Sequence, residues 1–320
     1  MSVKNNLEIY VITYNRAKEL SLTLESLLKS PVKDFPITVL DNASKDNTSD
    51  ICNDYKNKFA DFKYIKNNRN LGPSGNILKA MELVSKKWMW IIGDDDTYNW
   101  GAWPEIEKAL NQDYDIVNTC WHDGAKSDAP CVLLNELGFV PTGIYQTKNI
   151  TPIVMQNAYY LSLTLNPHSA IAAEVLNNGG KIYVPSEKLV IENIKKDYSK
   201  IVLTQNKLHC EISNYNVVYS TLKIYGLITD KATRYKCNEV LMLGNSFHRS
   251  LYAMLYNLGL RRIIDTFFML NFKQKLIFGV TIIEYYFKQL IKHIFYLQDE
   301  KNYKTYKIFG LKIKFRKRKK

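Results

Sequence analysis

The chain reads as an α/β protein on a mostly parallel, doubly wound sheet, followed by a helical, basic C-terminal region. Three observations predict this. Four short apolar runs alternate with helix-period segments over about the first ninety residues, the pattern of a parallel sheet with helices on both faces. Polar residues follow three of those runs directly, at Thr13–Arg16, Asp41–Asn42 and Asp94–Asp96. In such a sheet these loops share one edge, where open α/β proteins bind ligands. Finally, residues 1–260 carry 28 Lys/Arg against 27 Asp/Glu, and residues 261–320 carry 16 against 4. The front is electrically balanced and the back is strongly basic, which points to an anionic surface as partner.

The elements follow in order. Leu7-Glu-Ile-Tyr-Val-Ile-Thr13 has the content of a buried strand. Leu20, Leu24, Leu27 and Leu28 then share one helix face, stopped by Ser30-Pro31. Ile37–Leu40 is a second strand ending at Asp41-Asn42, and Ala43–Thr48 is turn and cap chemistry. The next helix carries Ile51, Tyr55 and Phe59. Phe62–Ile65 is a third strand, and Asn67–Gly75 a polar, glycine-bearing loop. Pro73 marks a helix start, with Ile77, Met81 and Val84 on its buried face. Trp88–Ile92 is the fourth strand, and Val117–Trp121 extends the sheet.

The fourth strand ends in Gly93-Asp-Asp-Asp96. Three carboxylates leaving a buried strand repel one another and lose hydration. A divalent cation, Mn²⁺ or Mg²⁺, offsets that cost and binds phosphate oxygens at the same time. The alternative is a solvated acidic turn before Tyr98-Asn99-Trp100-Gly101. The chain has neither a P-loop nor G-x-G-x-x-G, so phosphates would depend on the metal. Its five cysteines form no C-x-x-C pair, which argues against a zinc site or a disulfide framework. With no signal-peptide layout after Met1, a cytoplasmic protein is expected.

Val11-Ile-Thr-Tyr-Asn-Arg16, Leu40-Asp-Asn-Ala-Ser-Lys-Asp-Asn-Thr48, Asn67-Asn-Arg-Asn-Leu-Gly72 with Asn76, and Trp90-Ile-Ile-Gly-Asp-Asp-Asp96 resemble family 2 glycosyltransferases of the GT-A fold. The form of the last motif is most similar to the abequosyltransferase-like branch. Each motif is unspecific alone, but the four occur in order at the right strand ends, over residues 7 to about 120. The resemblance implies transfer of a sugar from a nucleotide-sugar donor to an acceptor hydroxyl, with inversion. By the same resemblance Asp94 lies by the ribose and metal, Asp96 is the main metal ligand and Asp95 faces the sugar. Asp41 receives the base, with Asn42 beside it, or else caps its own turn. Thr13, Tyr14, Asn15 and Arg16 meet the nucleoside. Asn70, Gly72 and Asn76 form the third loop. Residues 1–230 are expected to be the transferase domain, with a nucleotide-sugar half over 1–120 and an acceptor half over 121–230. The basic region is 231–320.

Inverting members need a general base, which the family usually supplies as a downstream carboxylate, often in a Glu-Asp pair. No such pair follows Asp96. The candidates are Asp123, Asp128, Glu174, Glu187 and Glu192, with Glu187 in Val184–Val190 preferred. His168 in Asn166-Pro-His-Ser-Ala170 is either an acceptor-pocket residue or an ordinary helix-start histidine. Gln-x-x-Arg-Trp, carried by the family's processive synthases, is absent, which implies addition of a single sugar.

From Asn238 the chain reads as basic, apolar helices. The charge-free run Leu276–Ile283 is far shorter than the roughly 18–20 residues a bilayer span needs. A helix over Lys275–Leu297 would lie in the membrane interface. Lys312–Lys320 holds seven basic residues in nine, each worth about 1 kcal/mol beside an anionic leaflet. A solvated tail is the alternative. The expectation is a peripheral enzyme on the inner face of the cytoplasmic membrane, with a lipid-linked saccharide acceptor for a surface polysaccharide. Two competing readings are weaker. A nucleotidyltransferase would carry a glycine- and basic-rich first loop, which Thr13–Arg16 is not. A nucleic-acid-binding protein would use the basic tail, but no recognition motif accompanies it, so no nucleic acid is expected.

Overall fold

The structure, a computed structural model, describes residues 3–120, 133–134, 136–191, 217–234 and 237, isolated helical positions between 275 and 283, and the segments 295–299, 303–308 and 311–316. The chain divides into two compact units, Met1–Leu241 and Met242–Lys320.

In the first unit, β1 (Leu7–Thr13), β2 (Ile37–Asp41), β3 (Phe62–Lys66) and β4 (Trp88–Gly93) form where the four apolar runs predict them. Between them lie α1 (Ala17–Leu28), α2 (Thr48–Tyr55) and α3 (Gly72–Leu83). α1 buries Leu20, Leu24 and Leu27 at helical spacing and stops ahead of Pro31. α3 starts with Pro73 in its first turn, where a missing N–H is harmless. β2 and β4 pair in parallel on either side of β1, and β3 extends the β2 side.

Beyond β4 come β5 (Thr97–Tyr98), α4 (Trp103–Leu110), β6 (Ile116–Asn118) and β7 (Gly143–Gln146). Then follow α5 (Pro152–Tyr160), α6 (Ser169–Asn177), β8 (Ile182–Tyr183), β9 (Val190–Ile191) and α7 (Val217–Gly226). The main sheet has seven strands in the order β3-β2-β1-β4-β7-β6-β8. β7 is antiparallel to both β4 and β6, while β6 and β8 are parallel. The sheet is therefore mostly parallel as expected, with one reversed strand that the sequence pattern does not announce.

Both faces of the sheet are covered, so the strands read as continuous apolar runs. Leu7, Ile9 and Val11 of β1 and Trp88, Trp90 and Ile92 of β4 pack into one core with α1, α2 and α4. The alternate residues Tyr10, Met89 and Ile91 pack into a second core with α3, α5 and α6. The two tryptophans are fully buried, and their indole N–H groups donate to the carbonyls of Leu110 (3.1 Å) and Pro141 (2.9 Å). That pairing removes the penalty of a buried unpartnered donor.

In the second unit, Lys275, Leu276, Gly279 and Ile283 are helical, but the helix expected to run to Leu297 does not. Phe295–Asp299 (β10), Tyr303–Ile308 (β11) and Leu311–Arg316 (β12) form an antiparallel sheet. The reason is a period-2 alternation that a count of basic residues hides. Leu311-Lys-Ile-Lys-Phe-Arg316 switches strictly between apolar and basic, the mark of a two-faced strand. Directly paired residues share a face. The register pairs Lys307 with Lys312, Thr305 with Lys314 and Tyr303 with Arg316. It pairs Ile308 with Leu311, Tyr306 with Ile313, Lys304 with Phe315 and, on the other side, Lys304 with Asp299.

Candidate active site

The strand order turns between β1 and β4, so the loops after β1, β2 and β4 meet at their carboxyl ends. The first two loops are laced together. The Asn15 amide donates to Ser44 Oγ (2.8 Å) and the Lys45 amide to Asn15 Oδ1 (2.7 Å). The Ala17 amide donates to Asp46 Oδ2 (2.9 Å) and the Asn42 amide to the Thr13 carbonyl (3.0 Å). To close this clasp, Asn15 (φ 52°) and Ala43 (φ 65°) take the left-handed conformation. Asparagine does so readily; alanine does so at about 1 kcal/mol. Ala43→Gly is accordingly expected to match or exceed the wild type in stability by up to about 1 kcal/mol. Ala43→Val should lose about 2 kcal/mol, a branched side chain being worse there. Urea midpoints that rank valine level with glycine would contradict the strain.

Asp41 closes the β2 end. It is fully buried, accepting from the Ser44 amide (2.8 Å) and the Tyr64 hydroxyl (2.6 Å). Burial, then the hydrogen bond to Asp41, push the Tyr64 phenol above its ordinary range. Beside it lies a lattice of asparagine amides. Asn42 donates to Asn70 Oδ1 (2.8 Å) and the Gly72 carbonyl (3.0 Å), and accepts from Asn67 (3.2 Å) and the Leu71 amide (2.8 Å). Those bonds use the whole capacity of its side chain, so Asn42 shapes the loop. Asn76 donates to the Leu40 carbonyl (2.8 Å) and accepts from Asn67 (3.0 Å). Gly72, at φ 74°, makes the turn into α3 that a side chain would strain. Asn67 and Tyr64, not singled out from the sequence, hold this wall together; the doubled asparagine after β3 was the available signal.

The acidic turn after β4 divides its work. Asp94 is buried, with Oδ2 accepting from Thr13 Oγ1 (2.7 Å) and Oδ1 facing Arg16 Nη1 (3.0 Å). Asp95 Oδ2 meets Arg16 Nη2 at 2.6 Å. Burial lowers the Arg16 guanidinium, but the charges of Asp94 and Asp95 outweigh it and the net shift is upward. Asp96 Oδ2 accepts from the Gly93 amide (3.1 Å). Burial, then the charges of Asp96, Asp95 and Asp94, raise the Tyr98 phenol well above its usual value.

No group of three His, Cys, Asp or Glu side chains is arranged around a common metal position among the described residues. Gly93 nonetheless leaves a cradle. A Cβ there would sit 3.0 Å from both Asp95 Oδ1 and Asp96 Oδ2. The carboxylates of Asp95 and Asp96 that converge there are the oxygen donors a hard divalent cation takes. Asp94, expected next to the ion, is engaged by Thr13 and Arg16.

The preferred base candidate also comes to this edge. β9 pairs with β5 in the register Thr97↔Ile191 and Tyr98↔Val190, which brings residues 187–191 alongside the exit of the acidic turn. Asn99 Nδ2 donates to Glu187 Oε2 (3.3 Å), and Glu187 is exposed. Glu105 of α4 steadies that loop, accepting from the Tyr183 hydroxyl (2.7 Å) and the Ser186 amide (2.9 Å). Glu174 accepts from Asn178, which caps the end of its helix (3.0 Å). Asp123, Asp128 and Glu192 lie outside the described residues. His168 is fully buried against Tyr145, a core histidine at the start of α6.

Comparisons with known proteins bear on the family and the fold. The model of the family "Glycosyl transferase family 2" matches residues 8–160. Abequosyltransferase RfbV of Salmonella typhimurium is 31% identical over 107 residues, 32% of this chain and 32% of that one. GalNAc(5)-diNAcBac-PP-undecaprenol beta-1,3-glucosyltransferase of Campylobacter jejuni is 28% identical over 109 residues, 34% of this chain and 35% of that one. The matched stretch thus spans about a third of these relatives. A crystal structure of S. aureus TarS 1–349 in complex with UDP-GlcNAc superposes with a TM-score of 0.51, at 14% identity, over 98% of this chain and 99% of that one. The motifs, the sheet and the family match agree: residues 8–160 form a domain that matches family 2 glycosyltransferases, on a GT-A fold.

Proposed function

We propose that the protein transfers a single sugar from a nucleotide-sugar donor to a lipid-linked saccharide, in the synthesis of a bacterial surface polysaccharide. The observation that carries this is the cradle at Gly93, where Asp95 and Asp96 flank the space beside the clasped loops after β1 and β2. A divalent cation held there supplies positive charge for the departing diphosphate. Asp94 anchors Arg16 and Thr13 beneath it. Tyr14, Asn15, Asp41, Asn42, Asn70, Gly72 and Asn76 form the nucleoside side, largely by fixing loop shape. Glu187 takes the proton from the acceptor hydroxyl, with inversion at the sugar. Glu187→Gln is expected to lower transfer about 10²-fold with donor affinity retained; unchanged transfer would remove Glu187 from this role.

A lipid-linked acceptor is favoured by the seven basic residues of Lys312–Lys320 and by the named substrate of the Campylobacter relative. No helix among the described residues is long and apolar enough to cross a membrane, so attachment is taken to be peripheral, on the inner face. The test is release of nucleotide from UDP-, GDP-, dTDP- and CMP-sugars, with Mn²⁺, Mg²⁺ or EDTA. Metal-dependent release from one donor supports the reading. No release from any donor, together with no metal-dependent donor binding by calorimetry, overturns it.

A further inference from the structure

Arg16 sits where a cation is wanted. Its two terminal nitrogens reach two different carboxylates, Asp94 at 3.0 Å and Asp95 at 2.6 Å. The two partners are not equivalent. Asp94 is 3% exposed and is also held by Thr13. Asp95 is 23% exposed, at the edge of solvent. While Asp95 Oδ2 faces Arg16, its Oδ1 flanks the Gly93 cradle opposite Asp96. One carboxylate is therefore shared between the guanidinium and the pair of oxygens that the proposed cation would use. Two cationic centres on one carboxylate repel each other. Arg16 is itself a third exposed, on a long side chain at the start of α1, and a guanidinium fork matches phosphate oxygens as well as carboxylate oxygens.

We infer that Arg16 is a resident counter-ion, which yields Asp95 to an incoming divalent cation and turns to the diphosphate that arrives with it. The inference rests on the reading that this site takes a metal and a diphosphate. It adds an order of events and a second role for Arg16. The side chain holds the acidic turn together when the site is empty, and it binds the leaving group when the site is filled. Metal and diphosphate binding are then coupled through one side chain.

The coupling predicts opposite effects of a single substitution. Binding of Mn²⁺ alone to the full chain is followed by the paramagnetic resonance of free Mn²⁺, and binding of pyrophosphate at saturating Mn²⁺ by calorimetry. Arg16→Gln is expected to bind Mn²⁺ about tenfold tighter than the wild type and pyrophosphate about tenfold weaker, a usual size for coupling between sites. Arg16→Lys keeps a charge for Asp94 but cannot bridge both carboxylates. It should show the same two shifts, smaller, and it decides the matter if the glutamine variant fails to fold. Mn²⁺ affinity that is unchanged or weakened in both variants overturns the exchange while leaving the metal site standing. Absence of Mn²⁺ binding in the wild type and both variants overturns the exchange and the metal reading together.

Discussion

Asp96→Ala is expected to lower donor cleavage by about 10³-fold while leaving the unfolding midpoint close to that of the wild type. Asp96 is half-buried at the exit of β4, and its carboxylate flanks the Gly93 cradle. Removing it takes away charge at the proposed cation position and one acceptor, that of the part-buried Gly93 amide (3.1 Å). Asp94→Ala should behave differently. It strands a buried Thr13 hydroxyl and one arm of Arg16. Breaking a buried pair costs about 3–5 kcal/mol. Arg16 is one-third exposed, so solvent screening brings the expected loss to about 2–3 kcal/mol, on top of lost activity. Steady-state rates and urea unfolding of the two variants separate these roles. An Asp96→Ala protein with a tenth of wild-type activity would remove Asp96 from the reaction. An Asp94→Ala protein of wild-type stability would contradict the anchoring of Arg16.

A second large effect concerns acid stability. His168 is fully buried, and that burial lowers its pKa to about 4, with the neighbouring Leu137 and Gly138 backbone opposing the shift. In the unfolded chain it returns to about 6.5. Between these values the unfolded state takes up a proton that the native state refuses, so stability rises with pH across the window. Going from pH 7 to pH 4 is expected to remove about 3 kcal/mol through this one side chain, and the loss levels off within about a unit below pH 4. His168→Gln abolishes the contribution. Wild-type stability, read from urea unfolding, should therefore fall by about 3 kcal/mol relative to the variant's as pH drops from 7 to 4, whatever their difference at neutral pH. Parallel curves would show that His168 is not the group responsible.

The first half of the fold was legible because its signals are local. Strands β1 to β4 are unbroken apolar runs, and each is followed by a polar cluster within two or three residues. The three loops of the site could be placed from those clusters alone. The reversed strand β7 was not legible. Some two dozen residues separate Gly143 from Asn118, and nothing local says that it inserts between β4 and β6. The division of labour among Asp94, Asp95 and Asp96 was hidden for the same reason. It depends on Thr13 and Arg16, about eighty residues away in sequence. Spacing assigns a carboxylate to a turn but does not say which oxygen a distant arginine will take. At the C-terminus the error was one of period. Seven basic residues in nine read as charge, whereas their alternation with Leu311, Ile313 and Phe315 specifies a strand.

The clasp between the loops after β1 and β2 bears on how donor preference can be altered, in nature or by design. Asn15 and Ser44 each satisfy a backbone amide in the other's loop, and Asp46 reaches back to Ala17. Grafting either loop alone from a relative would leave those donors without acceptors and the left-handed Ala43 without its reason. The unit of exchange at this edge of the proposed donor site is therefore the pair. Residues 13–17 and 41–48 have to be exchanged together, as one composite cassette discontinuous in sequence but continuous in hydrogen bonds.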